Sequence, residues 1–349
     1  MKKYLIVRTS AIGDVVHTLP VLRIIKDFDP DCEIHWVAKK VPAMLLENNP
    51  NISRIFILKS NYFELARLLR RNKYRAVFDL QGLFRTAILS RLVRAESYVG
   101  YSRDYIREKG AQLFYTQRIS PESQNPHVIS RGISLVCRYF NSDDRNYENS
   151  DSWIFDLPNK NDAKAYIASK LTAFDRKRII VLNPGAGWGN KQLMPSHFGK
   201  LADILSQHYD DLEFIVTYAS DEEKLAKKVA ESAKRTKLHL IDTNIFQLIA
   251  LLRRSNLFIG GDTGPMQMAA ALGVPIVAIF GPTNPLHNGP FSHADIECIA
   301  QNTKLDCLNC HKRTCPRYNE FPPPCMQITP EYLAELSLKQ LSMNHHMLN

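Results

Sequence analysis

The chain has 349 residues, 45% of them hydrophobic and 23% charged, the balance of a well-cored globular protein too long for one ordinary domain. Lys and Arg number 45 against 35 Asp and Glu, so the net charge of +10 favours acidic partners: nucleic acid, anionic lipid or a phosphorylated substrate. No run of 18 apolar residues occurs, which excludes a spanning helix, and residues 1–8 are too short an apolar stretch for a signal peptide, so the expected location is cytoplasmic.

Along the chain, apolar runs alternate with amphipathic stretches, the pattern of a parallel sheet covered by helices. In the first half, strands are expected at 4–8, 33–38, 55–58, 76–80 and 97–100. The loop Arg8-Thr9-Ser10-Ala11-Ile12-Gly13-Asp14 follows the first strand. Gly13 allows a close backbone turn, a helix is expected after Asp14, and Pro20 should kink it. The loop lacks the Gly-x-Gly-x-x-Gly pattern, which disfavours a nicotinamide or flavin dehydrogenase. Asp14 reads either as a helix N-cap or as a catalytic base.

Between Lys59 and Lys109 stand 12 Lys or Arg against 5 acids. Arg67, Arg70, Arg71 and Lys73 flank Leu65, Leu68 and Leu69 at helical spacing and read as a solvated helix face. Arg85 and Arg107 lie in the same basic stretch; Arg85 follows Asp79-Leu80-Gln81-Gly82-Leu83-Phe84, a strand end and turn, and is expected to face a cleft. Residues 141–151 are polar without periodicity and read as a loop, with a linker near 156–161.

The theme then repeats, with strands expected at 178–183, 213–218, 238–241, 256–260 and 274–280 and helices at 222–234 and 246–253. The strand at 178–183 runs into Pro184-Gly185-Ala186-Gly187-Trp188-Gly189-Asn190-Lys191, three glycines and a lysine that would offer backbone amides and one ammonium to a phosphate. A solvated loop lysine is the alternative, and the missing Gly-Lys-Ser/Thr ending argues against a P-loop. Residues 254–281 read as strand, turn, helix and strand. The turn is Gly261-Asp262-Thr263-Gly264, Pro265 opens the helix and Gly273 suits the left-handed residue that ends it. Thr263, Gly264 and the first helical N–H groups would form an anion site, or the unit is an ordinary crossover with no ligand. Beyond Pro282 the chain turns irregular, with a Pro322-Pro323-Pro324 run and a last helix opening at Pro330. The expected domains are 1–156 and 157–349, two doubly wound halves with a ligand cleft between their strand carboxyl ends.

Of seven cysteines, Cys32, Cys137 and Cys298 are isolated in apolar surroundings and read as packed. The others cluster as Cys307-x2-Cys310-x4-Cys315-x9-Cys325, an insert over 305–327. The first pair has metal-knuckle spacing but the second half does not match it, so bound metal, free thiols and a disulfide all stay open.

Taken together, Ser10-Ala11-Ile12-Gly13-Asp14-Val15-Val16-His17-Thr18-Leu19-Pro20, Asp79 through Arg85, Asn183-Pro184-Gly185-Ala186 with Lys191, and Gly261 through Met266 resemble the ADP-heptose:lipopolysaccharide heptosyltransferase family (glycosyltransferase family 9). The likeness covers nearly the whole chain with the motifs in order. It implies an α/β protein of GT-B fold, two Rossmann-like domains facing a central cleft, the first for acceptor and the second for nucleotide-sugar. It implies inverting transfer of heptose from ADP-heptose to the lipopolysaccharide inner core, in peripheral contact with the cytoplasmic face of the inner membrane and with no cofactor needed for catalysis. By resemblance, Asp14 is the general base, Lys191 meets the donor near its phosphates, Asp262, Thr263 and Gly264 form the donor turn, and Asp221 or Glu222 reads the nucleoside. Gly187 and Gln267 join the donor set, and Gly13, Arg85 and Arg107 the acceptor set. This chain has Gln267 where many members have His, and Ala186 and Gly187 where some have Thr. A cysteine cluster recurs in parts of the family and binds iron in the branch that modifies autotransporters, so structural zinc or iron at Cys307, Cys310, Cys315 and Cys325 is a further implication.

Two competing readings remain at this point. A related transferase could use another nucleotide-sugar or a protein acceptor. A basic zinc-knuckle protein could bind nucleic acid, but interleaved aromatic platforms are missing and two α/β halves exceed what that task needs, so no nucleic-acid partner is expected.

Overall fold

Two six-stranded parallel sheets organise the chain in the computed structural model, which describes residues 1–121, 125–147, 153–291, 297–318 and 321–345, side chains included except at 297–298 and 344–345. The first sheet contains Lys3–Val7 (β1), Glu33–Ala38 (β2), Arg54–Ile57 (β3), Tyr74–Asp79 (β4), Ala95–Tyr101 (β5) and Gln117–Ile119 (β6), in the order β3-β2-β1-β4-β5-β6. The second contains Arg178–Asn183 (β7), Leu212–Tyr218 (β8), Leu238–Asp242 (β9), Leu257–Gly261 (β10), Ile276–Phe280 (β11) and Glu297–Gln301 (β12), in the order β12-β11-β10-β7-β8-β9. Counted from its own first strand, each sheet has the same 3-2-1-4-5-6 order, the doubly wound Rossmann arrangement. The chain divides into Met1–Pro158 and Asn159–Asn349, and residues 153–160, where the division falls, carry neither helix nor strand.

The strands form where they do because helices cover both faces of each sheet, so a continuous apolar run suits them better than alternation. Ile276–Phe280 is buried at every position, and Lys3–Val7 at all but its first. One core joins Leu5, Val7, Val37, Phe56 and Val77 to Leu65 and Leu69 of the helix Tyr62–Leu69. Arg67, Arg70 and Arg71 stay exposed beside it, the solvated face that the spacing predicts. In the second unit Phe198 and Leu201 of the helix Pro195–Leu205 share a core with Leu333 and Leu341 of the last helix, Pro330–His345.

Several local expectations need correction. The first helix is Ile12–Thr18, so it begins two residues before Asp14 and not after it. Gly13 lies in that first turn and is not among the residues of positive φ. Pro20 does more than kink the helix: it opens a separate one, Pro20–Phe28, where its missing N–H costs nothing. Strands β6 and β12 were not expected: β6 is three residues, two of them polar, and β12 (Glu-Cys-Ile-Ala-Gln) is polar at both ends, so neither carries a clear apolar run. Gly273 does hold the left-handed position after the helix Gly264–Ala271, at φ 69°. Cys32 and Cys137 are buried as expected, while the side chain of Cys298 lies outside the described residues. No helix among the described residues is long and apolar enough to cross a membrane.

Candidate active site

Each sheet reverses its winding at one place, and ligands of such sheets collect beyond the strand carboxyl ends there. In the first sheet that point lies between β1 and β4, where Val7 pairs with Asp79. The loop 8–14 and the turn 80–85 therefore emerge side by side. In the second it lies between β7 and β10, where Asn183 pairs with Gly260, which sets the loop 184–191 beside the turn 262–264.

At the first point Asp14 occupies the third helical position, and its Oδ2 accepts from the Ala11 N–H at 2.7 Å. Ala11, not Asp14, is the N-cap. Asp14 Oδ1 lies 2.8 Å from the Arg8 guanidinium, and 35% of its side chain remains exposed. Burial pushes its pKa up, but the Arg8 charge, the Ala11 N–H and His17 outweigh that and hold it below the ordinary carboxylate range. The carboxylate is therefore ionised near neutrality, and a weaker base than a free aspartate.

The loop that carries Asp14 is pinned from β4. Gln81 Oε1 accepts from the Thr9 N–H at 2.9 Å, the Thr9 hydroxyl at 3.2 Å and the Ser10 N–H at 3.2 Å. Arg8 also donates to the Leu80 carbonyl. The turn is in turn fixed by Asp79, fully buried, which accepts from the Gln81 and Gly82 N–H groups at 3.0 and 3.1 Å and from the Tyr115 hydroxyl at 2.8 Å. Desolvation pushes Asp79 above its usual range despite these donors. Arg8, Asp79, Gln81 and Tyr115 had no role in the sequence reading; the Asp-Leu-Gln-Gly run marks the turn, but nothing in it tells which loop Gln81 holds.

Arg85 is exposed in the first turn of the helix Phe84–Leu92. Gly82, at φ 67°, lies so near the next segment that a Cβ there would meet Ile106 at 3.0 Å and the Arg107 backbone at 3.6 Å. Arg85 and Arg107 thus sit on adjoining segments with both side chains in solvent. Between them Glu108 accepts from the Phe84 N–H at 2.6 Å and caps the helix.

At the second point Lys191 Nζ lies 2.6 Å from Asp262 Oδ2 and 3.2 Å from its backbone carbonyl, with side chains only 13% and 10% exposed. The ammonium also sits 4.5 Å from the centre of the Trp188 ring, a cation–π contact. Thr263 caps the helix Gly264–Ala271 in extended conformation, but its hydroxyl bonds the Gly261 carbonyl and not the helix. The first helical N–H groups keep their capacity for an anion. Glu222 leans over the start of the loop, since a Cβ on Gly185 would fall 2.0 Å from its Oε1. Asp221 and Gly187 are exposed, and Gly187 has open space around it. Gln267 is placed differently from the rest: it is buried, and its Nε2 donates to the Asn288 carbonyl at 2.6 Å, tying the helix to the next loop.

The cysteines Cys307, Cys310, Cys315 and Cys325 are free thiols lining one cavity of about 260 Å³. Burial, followed by the neighbouring thiols, pushes Cys325 up to about 11. Among the described residues no group of three or more His, Cys, Asp or Glu is gathered closely enough to hold a metal ion. The spacing brings the thiols around one cavity without closing a ligand cage.

Comparison with known proteins bears on this geometry. The family model for glycosyltransferase family 9 (heptosyltransferase) matches residues 62–319, well over half of the chain. A lipopolysaccharide heptosyltransferase 1 from Campylobacter coli is 28% identical over 300 residues, covering 82% of this chain and 86% of its own. An E. coli ADP-heptose heptosyltransferase II superposes with a TM-score of 0.76 at 18% identity, covering 99% of this chain and 100% of its own. The E. coli heptosyltransferase WaaC, solved with ADP, does so at 0.70 and 22% identity, covering 85% of this chain and 93% of its own. The solved structures share the GT-B fold of two doubly wound domains. With its family motifs seated at both switch points, this chain belongs to glycosyltransferase family 9, the heptosyltransferases.

Proposed function

We propose that the protein transfers heptose from ADP-heptose to the lipopolysaccharide inner core with inversion at the anomeric carbon, Asp14 acting on the acceptor and Lys191 on the donor. One observation carries this reading: the carboxylate and the lysine that the family motifs single out each stand at a switch point, Asp14 partly exposed beside Arg8 in the first sheet and Lys191 paired with Asp262 just before a helix N-terminus in the second. The acceptor hydroxyl attacks the anomeric carbon, its proton passes to Asp14, and the bond to the diphosphate breaks with the electron pair leaving on ADP. The charge that builds on the diphosphate is met by Lys191 and the N–H groups at Gly264, which can stand in for a divalent cation. Glu222, which leans over the start of the loop 184–191, or the exposed Asp221 beside it would read the nucleoside. Arg85 and Arg107, exposed on adjoining segments, offer two guanidinium groups to a multiply anionic acceptor. Such an acceptor is lipid-linked, so contact with the inner face of the inner membrane belongs to the same reading.

Iron or zinc fits the cysteine cavity by donor chemistry, four thiols of the kind soft metals take, and Cys307, Cys310, Cys315 and Cys325 would hold it once they draw closer together. Its contribution would be to order residues 305–327.

Incubating the full chain with ADP-heptose and truncated lipopolysaccharide acceptors, with product masses read by mass spectrometry, tests the whole assignment. A mass gain of one heptose is expected. Transfer from UDP- or GDP-sugars alone, or to protein alone, would replace it with the related-transferase reading.

A further inference from the structure

The cysteine-rich insert does not stand apart from the donor loops. The His311 N–H donates to the Pro282 carbonyl at 2.8 Å, and Asn190 Nδ2 donates to the Lys312 carbonyl at 3.3 Å. Asn190 and Pro282 also line the thiol cavity, so one wall of it is built from the loop that carries Lys191. These contacts deliver Arg313 to Trp188: its guanidinium carbon lies 5.3 Å from the ring centre, over the same indole that Lys191 approaches at 4.5 Å.

Charge distinguishes the two cations. Lys191 is paired with Asp262, whereas no carboxylate among the described residues pairs with Arg313. Two cations on one ring repel each other, and an anion beside both removes that cost. A guanidinium offers a planar fork of donors suited to phosphate, and the indole beneath fixes its direction without using those donors.

We propose that Arg313 is a further donor-binding residue, which grips the nucleotide diphosphate from the insert, and that ordering of the thiol cavity sets its position and so the donor affinity. This rests on the reading of the second unit as the donor domain. The insert then acts on donor affinity through Arg313 itself: it carries no reacting group, but fixing its cysteines fixes the arginine.

Calorimetric titration of the full chain with ADP and with adenosine tests the proposal. Arg313→Ala is expected to weaken ADP about tenfold and to leave adenosine unchanged. Arg317→Lys, on the same insert, keeps a cation for Asp306, with which Arg317 pairs at 2.6 Å, and should leave both unchanged. Loading the cavity with Zn²⁺, followed by removal of excess metal, should tighten ADP in the wild type and not in Arg313→Ala. Equal ADP affinity for Arg313→Ala and wild type overturns the proposal, as does an equal loss in Arg317→Lys, which would show that the effect does not belong to Arg313. Unchanged wild-type affinity after Zn²⁺ loading overturns the link to the cavity. A wild type that binds adenosine but not ADP, or neither, removes the donor-domain reading itself.

Discussion

Asp14 is held between two opposing influences, burial that raises its pKa and Arg8 that lowers it, and the second prevails. The sign of its pH effect follows. Because the folded value lies below the unfolded one, about 3.9, the ion pair stabilises the fold above that value and its contribution is lost as pH falls through the folded one. The acid limb of kcat/KM should therefore not arise from Asp14 between pH 5 and 8. Arg8→Gln removes the charge and leaves the burial, so the limb that does belong to Asp14, at more acid pH, should move upward, as a pH–rate profile will show. Asp14→Asn keeps an acceptor for the Ala11 N–H and should cut turnover by roughly two to four orders of magnitude. Near wild-type turnover in a folded Asp14→Asn would remove it as the base.

Among elements, the turn after β4 does most to place the loop after β1. Gln81→Leu deletes three accepted hydrogen bonds at nearly constant volume, leaving the Thr9 and Ser10 N–H groups without a partner. It should cost about 1–3 kcal/mol of stability and lower kcat while ADP affinity stays unchanged. Reduced ADP affinity would mean that the damage is not confined to the first unit. For the insert, metal analysis of protein prepared without chelators should give about one zinc or iron per chain, and Cys310→Ser should lose it. A content near zero, with four reactive thiols in 307–325, would leave the cavity as an apolar pocket.

How far the sequence discloses this depends on distance along the chain. β2 and β7 follow their apolar runs residue for residue, because burial on both faces leaves an uninterrupted signal. The strands β6 and β12 carry no such signal, β6 because only one of its three residues is apolar and β12 because it is polar at both ends. Asp14 and Lys191 stand out through their loops. That Lys191 bonds Asp262, 71 residues on, depends on where two crossovers bring the chain back, which no local pattern states. The same holds for Gln81 on Thr9 and for Arg313 on Trp188.

For the molecule as a whole, two units with separate cores predict separable unfolding. Scanning calorimetry should show two transitions, and ADP at about 100 times its Kd should stabilise one of them by about 2.7 kcal/mol, that of Asn159–Asn349. A shift of both by equal amounts would show that the units melt as one.

The pairing of Lys191 with Asp262 also bears on the small anions of the cell. A lysine already matched to a carboxylate at 2.6 Å is a poor trap for inorganic phosphate, which must displace that partner with few contacts to offset the loss. A nucleoside diphosphate brings contacts elsewhere and can compete where orthophosphate cannot. On the proposed donor reading, Asp262 would be a built-in rival that screens ligands by how much else they hold. Asp262→Asn should make transfer markedly more sensitive to inhibition by inorganic phosphate, and an unchanged inhibition constant would show that the carboxylate screens nothing.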